Sequence, residues 1–340
     1  FWPAPPDAEM VSQLAEEAEE AEAQAAVSFR NVVGDIVLGP IMVPLSTHTL
    51  MLQRKVAEAL KQSPSQVDLV MGTRKLLHTD DVASLGCHDA LVLDLVMNSP
   101  AVCEVTPHRF ENIYCQETKA LTLDSGRVLT RSLAPGTSVI LEDRVVSAEP
   151  EEAEYRVWCP YRCRLVAAIV GGIGCFPVVP GATVLFTNLG PQLLPSVSYI
   201  SDIVGNEGRV IVTGGFHTIE AWATERQNIV ELSGAEEEEL LLGCVDVVLD
   251  SADAEGGWAR RVASSLATSR RWLRPQGWAL HVVDASEEAG RAQHRAFADV
   301  VDAIRSAEFR PREQITLEPF YRDMAVIVSQ NTAKKCRDSN

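Results

Sequence analysis

Acidic residues end two apolar segments in the second half of the chain and are the first candidates for chemistry. Asp250 directly follows Val245–Leu249, with Asp253 three residues later, and Asp284 directly follows Ala279–Val283. If the fold brings these three carboxylates together, they could serve as polar groups of a catalytic site or bind a cation. No histidine accompanies them at a metal-site spacing, so paired or exposed carboxylates are the simpler interpretation. We predict no metal site.

Thiols and imidazoles show no pattern that is typical of catalysis. Cys159 and Cys163 are the only close pair among eight cysteines, and no second pair or His cluster lies near them in sequence. His281 and His294 fall on or beside predicted elements without a carboxylate or cysteine at the spacing of a metal site or triad. A chain of this length can form cores without disulfides, so reduced thiols are expected.

The charge balance disfavours several functional classes. The 340 residues include 30 Lys and Arg against 47 Asp and Glu, which gives a net charge of −17. Autonomous binding to a phosphate backbone is therefore disfavoured, and RNA contact is expected only indirectly, through partners. No apolar run reaches the roughly 18 residues of a spanning helix, so a soluble protein is predicted. The start at Phe1 indicates a removed leader, an incomplete start or a shortened chain.

Composition and hydrophobic periodicity divide the chain into five segments. From Tyr155 onward, apolar strands alternate with amphipathic helices such as Glu288–Ala307, which is typical of an α/β domain with a parallel sheet and helices on both faces. The predicted segments are an acidic helix-prone arm (1–26), a β-grasp domain (27–99), a small β domain (100–154), an α/β domain (155–330) and a tail (331–340).

The second segment resembles ubiquitin. Strand-like runs flank a helical stripe of Leu52, Val56, Ala59 and Leu60, and the segments VDLVMGTRKLL and DDVASLGCHDALVLDLVM carry the likeness. The resemblance implies a β-grasp sheet wrapped around one helix. Because the chain continues through Asn98–Pro100 where ubiquitin ends in a conjugatable Gly-Gly, we expect an interaction module.

The third and fourth segments resemble fibrillarin, a family of S-adenosylmethionine-dependent RNA 2′-O-methyltransferases. The likeness rests on EYRVWCPYRCRLVAAIVGG at 154–172, together with VTPHRFENIYC (105–115), SDIVGNEGRV (201–210), VDVVL (245–249) and RPREQITLEPFYRDMAVIV (310–328). These segments follow the family order across roughly residues 102–329. The resemblance implies a Rossmann-like methyltransferase fold preceded by a small β domain of the fibrillarin type.

The resemblance also places the cofactor positions, and these depart from the family pattern. Where the family turn reads Gly-Ala-Ala-Ser-Gly, only Gly190 is kept and Leu194 stands in place of the second glycine. At the end of the second strand, Gly214 stands where a carboxylate would accept both ribose hydrogen bonds. We therefore expect no cofactor.

The catalytic positions differ as well. The family's Lys–Asp–Lys constellation falls on Arg164, Ser251 and Asp284. Arginine keeps the charge but cannot act as a base, and aspartate reverses the charge where an alkoxide would develop. We expect a non-catalytic, fibrillarin-like structural subunit, a pseudoenzyme. The alternative is an active S-adenosylmethionine-dependent rRNA 2′-O-methyltransferase with a rearranged site, for which Arg164, Asp250, Asp253 and Asp284 are the polar candidates.

Protein partners are expected in either case. The first 25 residues carry seven acids and no base, with Phe1 and Trp2 as apolar anchors, and such arms fold against another chain. We expect the arm and one face of the β-grasp domain to contact other subunits of a larger assembly. The resemblance implies the nucleolus, and a processed organelle protein is the alternative.

Overall fold

Residues 24–97 form a five-stranded sheet with one helix. The elements are β1 (Gln24–Arg30), β2 (Ile36–Pro44), α1 (Thr49–Ala59), β3 (Val67–Met71), β4 (Arg74–Lys75) and β5 (Ala90–Met97). The order across the sheet is β2-β1-β5-β3-β4, with β1 and β5 parallel and the other neighbours antiparallel. Phe29, Leu52 and Leu93 are completely buried at its centre. This is the β-grasp arrangement that the sequence predicts for this segment.

The computed structural model describes residues 23–86, 90–116, 127–148, 153–187, 189–190, 193–213, 219, 225–232, 242–250, 257–287 and 293–332. Residues 1–22 of the predicted arm and residues 333–340 of the predicted tail lie outside these ranges. Two compact units are present, Phe1–Pro100 and Ala101–Asn340. Within the described ranges, no helix is long and apolar enough to cross a membrane.

Strand β1 begins and ends earlier than the apolar run Val27–Val33 predicts. Gln24–Ala26, assigned to the arm because alanine favours helices, pair with Met42–Pro44 of β2 instead. At the other end, the Asn31 side chain accepts hydrogen bonds from the backbone N–H groups of Val33 and Asp35, at 3.0 Å each. This side-chain turn ends the strand and leaves Val33 exposed.

The second unit opens with a six-stranded sheet. Its strands are β6 (Ala101–Cys103), β7 (Val105–Pro107), β8 (Ile113–Gln116), β9 (Arg127–Arg131), β10 (Arg144–Ser147) and β11 (Glu154–Val157). They lie in the order β6-β10-β11-β9-β8-β7, and every neighbouring pair except β6 and β10 is antiparallel.

A seven-stranded, mostly parallel sheet forms the rest of the unit. Its strands are β12 (Thr183–Thr187), β13 (Arg209–Thr213), β14 (Ile229–Leu232), β15 (Val245–Asp250), β16 (Leu273–Asp284), β17 (Phe309–Thr316) and β18 (Met324–Asn331). The helices are α2 (Arg164–Val170), α3 (Leu194–Val204), α4 (Trp258–Ser269) and α5 (Gln293–Ser306). The strand order is β14-β13-β12-β15-β16-β18-β17, with β18 antiparallel to both of its neighbours. The predicted Rossmann-like methyltransferase fold is confirmed.

Hydrophobic cores cover both faces of this sheet. Leu249 and Leu280 pack with α2 and α3 on one face, whereas Val248 and Ala279 pack with α4 and α5 on the other. Successive strand residues point to opposite faces, so a central strand that is buried on both sides must be apolar almost throughout. Every residue of β15 is accordingly buried, including Asp250 at its end.

A buried ionic cluster joins the six-stranded sheet to helix α3. Arg156 on β11 donates to Glu142, to Asp202 of α3 at 2.7 Å and to the Ser198 hydroxyl at 2.9 Å. Arg226 forms a second ion pair with Asp202, with 3.1 Å between Nη1 and Oδ1. Glu142, Arg156, Asp202 and Arg226 are each at most 3% exposed. The cluster therefore holds the small sheet in place against the helix that follows β12.

Candidate active site

Polar residues end several parallel strands at one edge of the seven-stranded sheet. Thr187 ends β12, Thr213 ends β13 and Asp250 ends β15, while Asp284 ends β16. In open parallel sheets, ligands bind outside the carboxyl ends of the strands, where the connecting loops leave a crevice. This edge is therefore the candidate active site.

Arg164 is the first residue of α2 and reaches this edge. Its guanidinium carbon lies 4.6 Å from the centre of the Tyr321 ring, and its Nε donates to Met324 Sδ at 3.4 Å. Burial raises the pKa of Tyr321 to about 12, although the nearby positive charge of Arg164 opposes the rise. The phenol is thus neutral at physiological pH, and the Arg164 guanidinium lies over its ring.

Asp284 lies close to the same methionine. Asp284 of β16 pairs with Met324 of β18, so the two residues lie side by side across the antiparallel strands. The Asp284 carboxylate accepts hydrogen bonds from the Ser286 backbone N–H at 3.0 Å and from its hydroxyl at 2.5 Å. Met324 therefore contacts the Arg164 guanidinium and is the cross-strand neighbour of Asp284.

Asp250 has an imidazole neighbour that sequence spacing did not reveal. Residues 250 and 281 are register partners in the parallel pair β15–β16, and Asp250 Oδ2 lies 3.6 Å from His281 Nδ1. Both side chains are buried, and neither ring nitrogen of His281 has a hydrogen-bond partner within the described residues. The prediction that no histidine accompanies these acids is therefore wrong for Asp250.

Thr187 lies next to this pair, because it is the register partner of Asp250 on β12. Its Oγ1 is buried without a hydrogen-bond partner in the described part of the chain. Buried polar groups are normally satisfied, so an orphaned hydroxyl at a strand end is available to a ligand.

In the turn after β12, Gly190 is the glycine that this chain shares with the family pattern, and its carbonyl group bonds to the start of the next helix. The Gly190 carbonyl accepts hydrogen bonds from the backbone N–H groups of Leu193 at 3.1 Å and of Leu194 at 3.2 Å. Leu194 is the first residue of α3, and its partly buried side chain packs against the hydrophobic core. The side chain that replaces the family's second glycine is thus packed against the core.

Three sequence-predicted positions, Ser251, Asp253 and Gly214, lie outside the described residues. Among the side chains that the structure does describe, no three His, Cys, Asp or Glu groups converge as metal ligands would. Sequence reasoning missed His281, Tyr321 and Met324 as neighbours of the predicted polar groups. The last two lie within the segment 310–328 that carried the resemblance, but their contacts depend on how β18 pairs with β16.

Comparison with known proteins identifies the family. The fibrillarin family profile matches residues 105–333. The rRNA 2′-O-methyltransferase fibrillarin of Debaryomyces hansenii is 31% identical over 247 residues, which cover 66% of this chain and 70% of that protein. The Drosophila melanogaster protein of the same name is 34% identical over 235 residues, covering 66% of this chain and 65% of that protein.

Solved structures show the same fold at lower identity. The Methanococcus jannaschii fibrillarin pre-rRNA processing protein superposes with a TM-score of 0.58 at 21% identity, covering 68% of this chain and 99% of that one. Aeropyrum pernix fibrillarin, solved with natively bound S-adenosyl-L-methionine, gives a TM-score of 0.57 at 24% identity, covering 68% of this chain and all of that one.

Two expectations from the sequence are corrected by these findings. The expectation of a non-catalytic subunit is contradicted by relatives that are named rRNA 2′-O-methyltransferases. The expectation of no cofactor is contradicted by the family match across residues 105–333, since a fibrillarin, that of Aeropyrum pernix, holds natively bound S-adenosyl-L-methionine. The physical error was to judge the site from single substituted positions, although Leu194 packs against the core and other polar groups gather at the sheet edge. The chain belongs to the fibrillarin family.

Proposed function

We propose that this chain transfers a methyl group from S-adenosylmethionine to a ribose 2′-hydroxyl of RNA, through a rearranged site. The family match across residues 105–333 carries the proposal. It includes all of the seven-stranded sheet, and the relatives are named rRNA 2′-O-methyltransferases. The cluster of polar side chains at the carboxyl edge of the sheet supports it.

The described residues fit a cofactor at the end of β12. Thr187 offers a buried hydroxyl that the fold leaves unsatisfied, and Gly190 keeps one position of the turn free of a side chain. Leu194 packs against the core and begins helix α3. We assign Thr187 and Gly190 to cofactor binding. When bound, S-adenosylmethionine supplies an electrophilic methyl group on a sulfonium.

The residues around Met324 then act on the ribose. A 2′-hydroxyl must lose its proton as its oxygen forms the new bond to carbon, and charge develops on that oxygen. In this proposal Asp284 accepts the proton and Arg164 stabilises the developing negative charge. Asp250, whose carboxylate lies 3.6 Å from the His281 ring, adds a second acid to the same edge of the sheet.

Cofactor binding and methyl transfer test the proposal directly. Isothermal titration of the full chain with S-adenosylmethionine should show one site per chain, and S-adenosylhomocysteine should compete for it. With an RNA substrate, the product should carry a 2′-O-methyl group that blocks alkaline cleavage at that nucleotide, because cleavage requires a free 2′-hydroxyl.

An RNA with a single 2′-deoxy nucleotide at the target position is the matched control and should accept no methyl group there. Absence of heat at millimolar S-adenosylmethionine, or transfer that persists on the deoxy substrate, would contradict the proposal.

We also propose that residues 24–97 act as a ubiquitin-like module that binds protein subunits, with the nucleolus as the compartment that the family resemblance implies. Three apolar side chains of this unit point into solvent instead of its core: Val33, Ile36 and Met42 are 83%, 55% and 59% exposed. Exposed apolar side chains of this kind favour contact with another protein.

Replacement of Met42 by aspartate should reduce the amount of other subunits that co-purify with the full chain. Val230→Asp, on the second unit, should not; equal losses in both variants would count against the module.

A further inference from the structure

Three polar side chains form a row across the seven-stranded sheet, where β12 and β15 end. Thr187, Asp250 and His281 are register partners on β12, β15 and β16. Paired residues of parallel strands point to the same face of the sheet, and this is the face on which Val248 and Ala279 pack with helices α4 and α5. Thr187 is 7% exposed, Asp250 3% and His281 1%, so the whole row is buried.

The row has hydrogen-bonding capacity that the described residues do not use. Neither ring nitrogen of His281 has a hydrogen-bond partner among them, and the same is true of Thr187 Oγ1. A neutral imidazole has one donor and one acceptor nitrogen, and a hydroxyl both donates and accepts. Buried groups of this kind cost free energy when they stay unsatisfied, so the row favours the binding of a polar ligand.

The row lies at the point where the order of the strands reverses along the chain. From β12 the chain continues to β13 and β14 on one side of the sheet, and it then returns to β15 and β16 on the other side. The connections after β12 and β15 therefore diverge and leave a crevice outside the ends of these strands, where ligands of open parallel sheets bind. Thr187 and Asp250 are the strand ends beside this crevice.

The position of the crevice indicates which part of S-adenosylmethionine reaches the row. In Rossmann-like folds the ribose is bound at the end of the second strand, which is β13 here. Because β15 lies on the opposite side of β12, we expect the amino-acid part of the cofactor on the side of Asp250. That part carries one ammonium and one carboxylate group. The negative charge of an aspartate attracts the ammonium and repels the carboxylate.

We propose that Asp250 binds the ammonium group of S-adenosylmethionine, with Thr187 as a second acceptor and His281 as the positioning residue. The inference rests on the proposed function, because it assigns one part of the same cofactor. An ammonium group has three N–H donors, which a carboxylate and a hydroxyl can accept. His281 Nδ1 lies 3.6 Å from Asp250 Oδ2, slightly beyond hydrogen-bond distance, and contacts of this kind shorten when a ligand binds. A hydrogen bond from His281 to one oxygen of Asp250 orients the other oxygen toward the ligand.

Asp250 is not one of the positions that the family resemblance assigns. The resemblance places the catalytic aspartate at Ser251 and the ribose carboxylate at Gly214. The contact of Asp250 with His281 depends on the register of β15 and β16, which the tertiary structure sets. The inference therefore adds a cofactor contact that the positions taken from the family do not include.

Isothermal titration of the full chain with two ligands tests the proposal. The ligands are S-adenosylhomocysteine and its deamino analogue, in which hydrogen replaces the ammonium group. Wild type should bind the deamino analogue about 10- to 100-fold more weakly, the usual effect of losing a hydrogen bond to a charged group. Asp250→Asn should weaken S-adenosylhomocysteine by a similar factor and leave the affinity for the deamino analogue unchanged.

Two variants of His281 test its positioning role. His281→Leu should reduce the preference for S-adenosylhomocysteine over the deamino analogue, because it removes the donor that orients Asp250. His281→Gln keeps an N–H donor and should restore most of the preference. Equal losses in the two variants, or an unchanged preference in His281→Leu, would overturn this role. Urea unfolding of each variant shows whether the fold is kept.

Asp246→Asn is the matched control, since Asp246 is a buried aspartate near the other end of the same strand. It should leave the preference between the two ligands unchanged. The proposal is overturned if wild type binds both ligands equally, if Asp250→Asn keeps the preference, or if Asp246→Asn removes it as fully. Failure of the wild-type chain to bind S-adenosylhomocysteine at all would overturn the proposed function, and this inference with it.

Discussion

Replacement of Arg164 by alanine is expected to lower the rate constant for methyl transfer by about 100- to 1,000-fold, the usual effect of removing one group that stabilises a developing oxyanion. The guanidinium is held over Tyr321 and against Met324, so it is oriented before the substrate arrives. S-adenosylmethionine affinity should change little, because Arg164 is assigned to the ribose oxygen. Single-turnover kinetics with titration of the cofactor measure both quantities.

Two controls make this result specific to the charge. Arg164→Lys should retain more activity than Arg164→Ala, since lysine keeps the positive charge although it loses the planar contact with Tyr321. Arg209→Ala, at an exposed position that begins β13, should leave the rate unchanged. Equal rates in wild type and Arg164→Ala would remove Arg164 from the mechanism.

The second large effect concerns stability. Replacement of Arg156 by methionine is expected to lower the free energy of unfolding of the second unit by about 3–5 kcal/mol, because it leaves buried Glu142 without its ion-pair partner and Asp202 with Arg226 alone. Glu142 and Asp202 both accept hydrogen bonds from this guanidinium. Urea unfolding followed by tryptophan fluorescence measures this loss, and one contributor, the buried Trp158 ring, stacks on Tyr199 beside Arg156.

Arg127→Met, on the neighbouring strand β9, is the matched control and should change stability by at most about 0.5 kcal/mol, because the side chain is half exposed. The double variant Arg156→Met/Glu142→Gln should cost less than the sum of its single variants, since each removes the same interaction. Strict additivity would show that the pair is not coupled.

Acid unfolding provides an independent measurement of the same cluster. Burial alone would raise the pKa of Glu142, but the Arg156 charge and the Ile140 backbone N–H outweigh it and lower the pKa to about 2. Because the folded-state pKa is below the ordinary value of 4.5, this stabilisation is complete above about pH 4.5 and is lost as the pH falls toward 2. Glu142→Gln should make the free energy of unfolding depend less on pH between about 4.5 and 2. An unchanged pH dependence in that range would show that Glu142 does not cause it.

Local patterns of apolar residues predict most of the strands and helices. Where the observed end of a strand differs from the predicted one, the cause is the same in each case. The strand-like runs Val67–Met71, Ala90–Met97 and Arg209–Thr213 predict β3, β5 and β13 with the bounds that the structure shows. β16 instead starts at Leu273, six residues before the predicted run, because pairing with β15 begins there. Gln24–Ala26 likewise join a sheet in spite of their helical preference. In both cases the neighbouring strand decides the boundary, and that neighbour is distant in sequence.

The ionic cluster could not be predicted at all. Arg156, Asp202 and Arg226 are separated by tens of residues, and each looks like an ordinary surface charge in its own segment. They become partners only because β11, α3 and the segment before β14 pack together.

The sequence by itself determined the fold class, the family and the identities of the groups at the sheet edge. The alternation of apolar strands with amphipathic helices is enough to predict the fold class. The segments between residues 105 and 328 that follow the family order are enough to predict the family. Only the tertiary structure decided that His281 neighbours Asp250, that Met324 contacts Arg164 and pairs across the strands with Asp284, and that Leu194 packs against the core. Strand register and helix packing determine which of these side chains are neighbours. Both depend on contacts between segments that are far apart in the sequence, so no single segment predicts them.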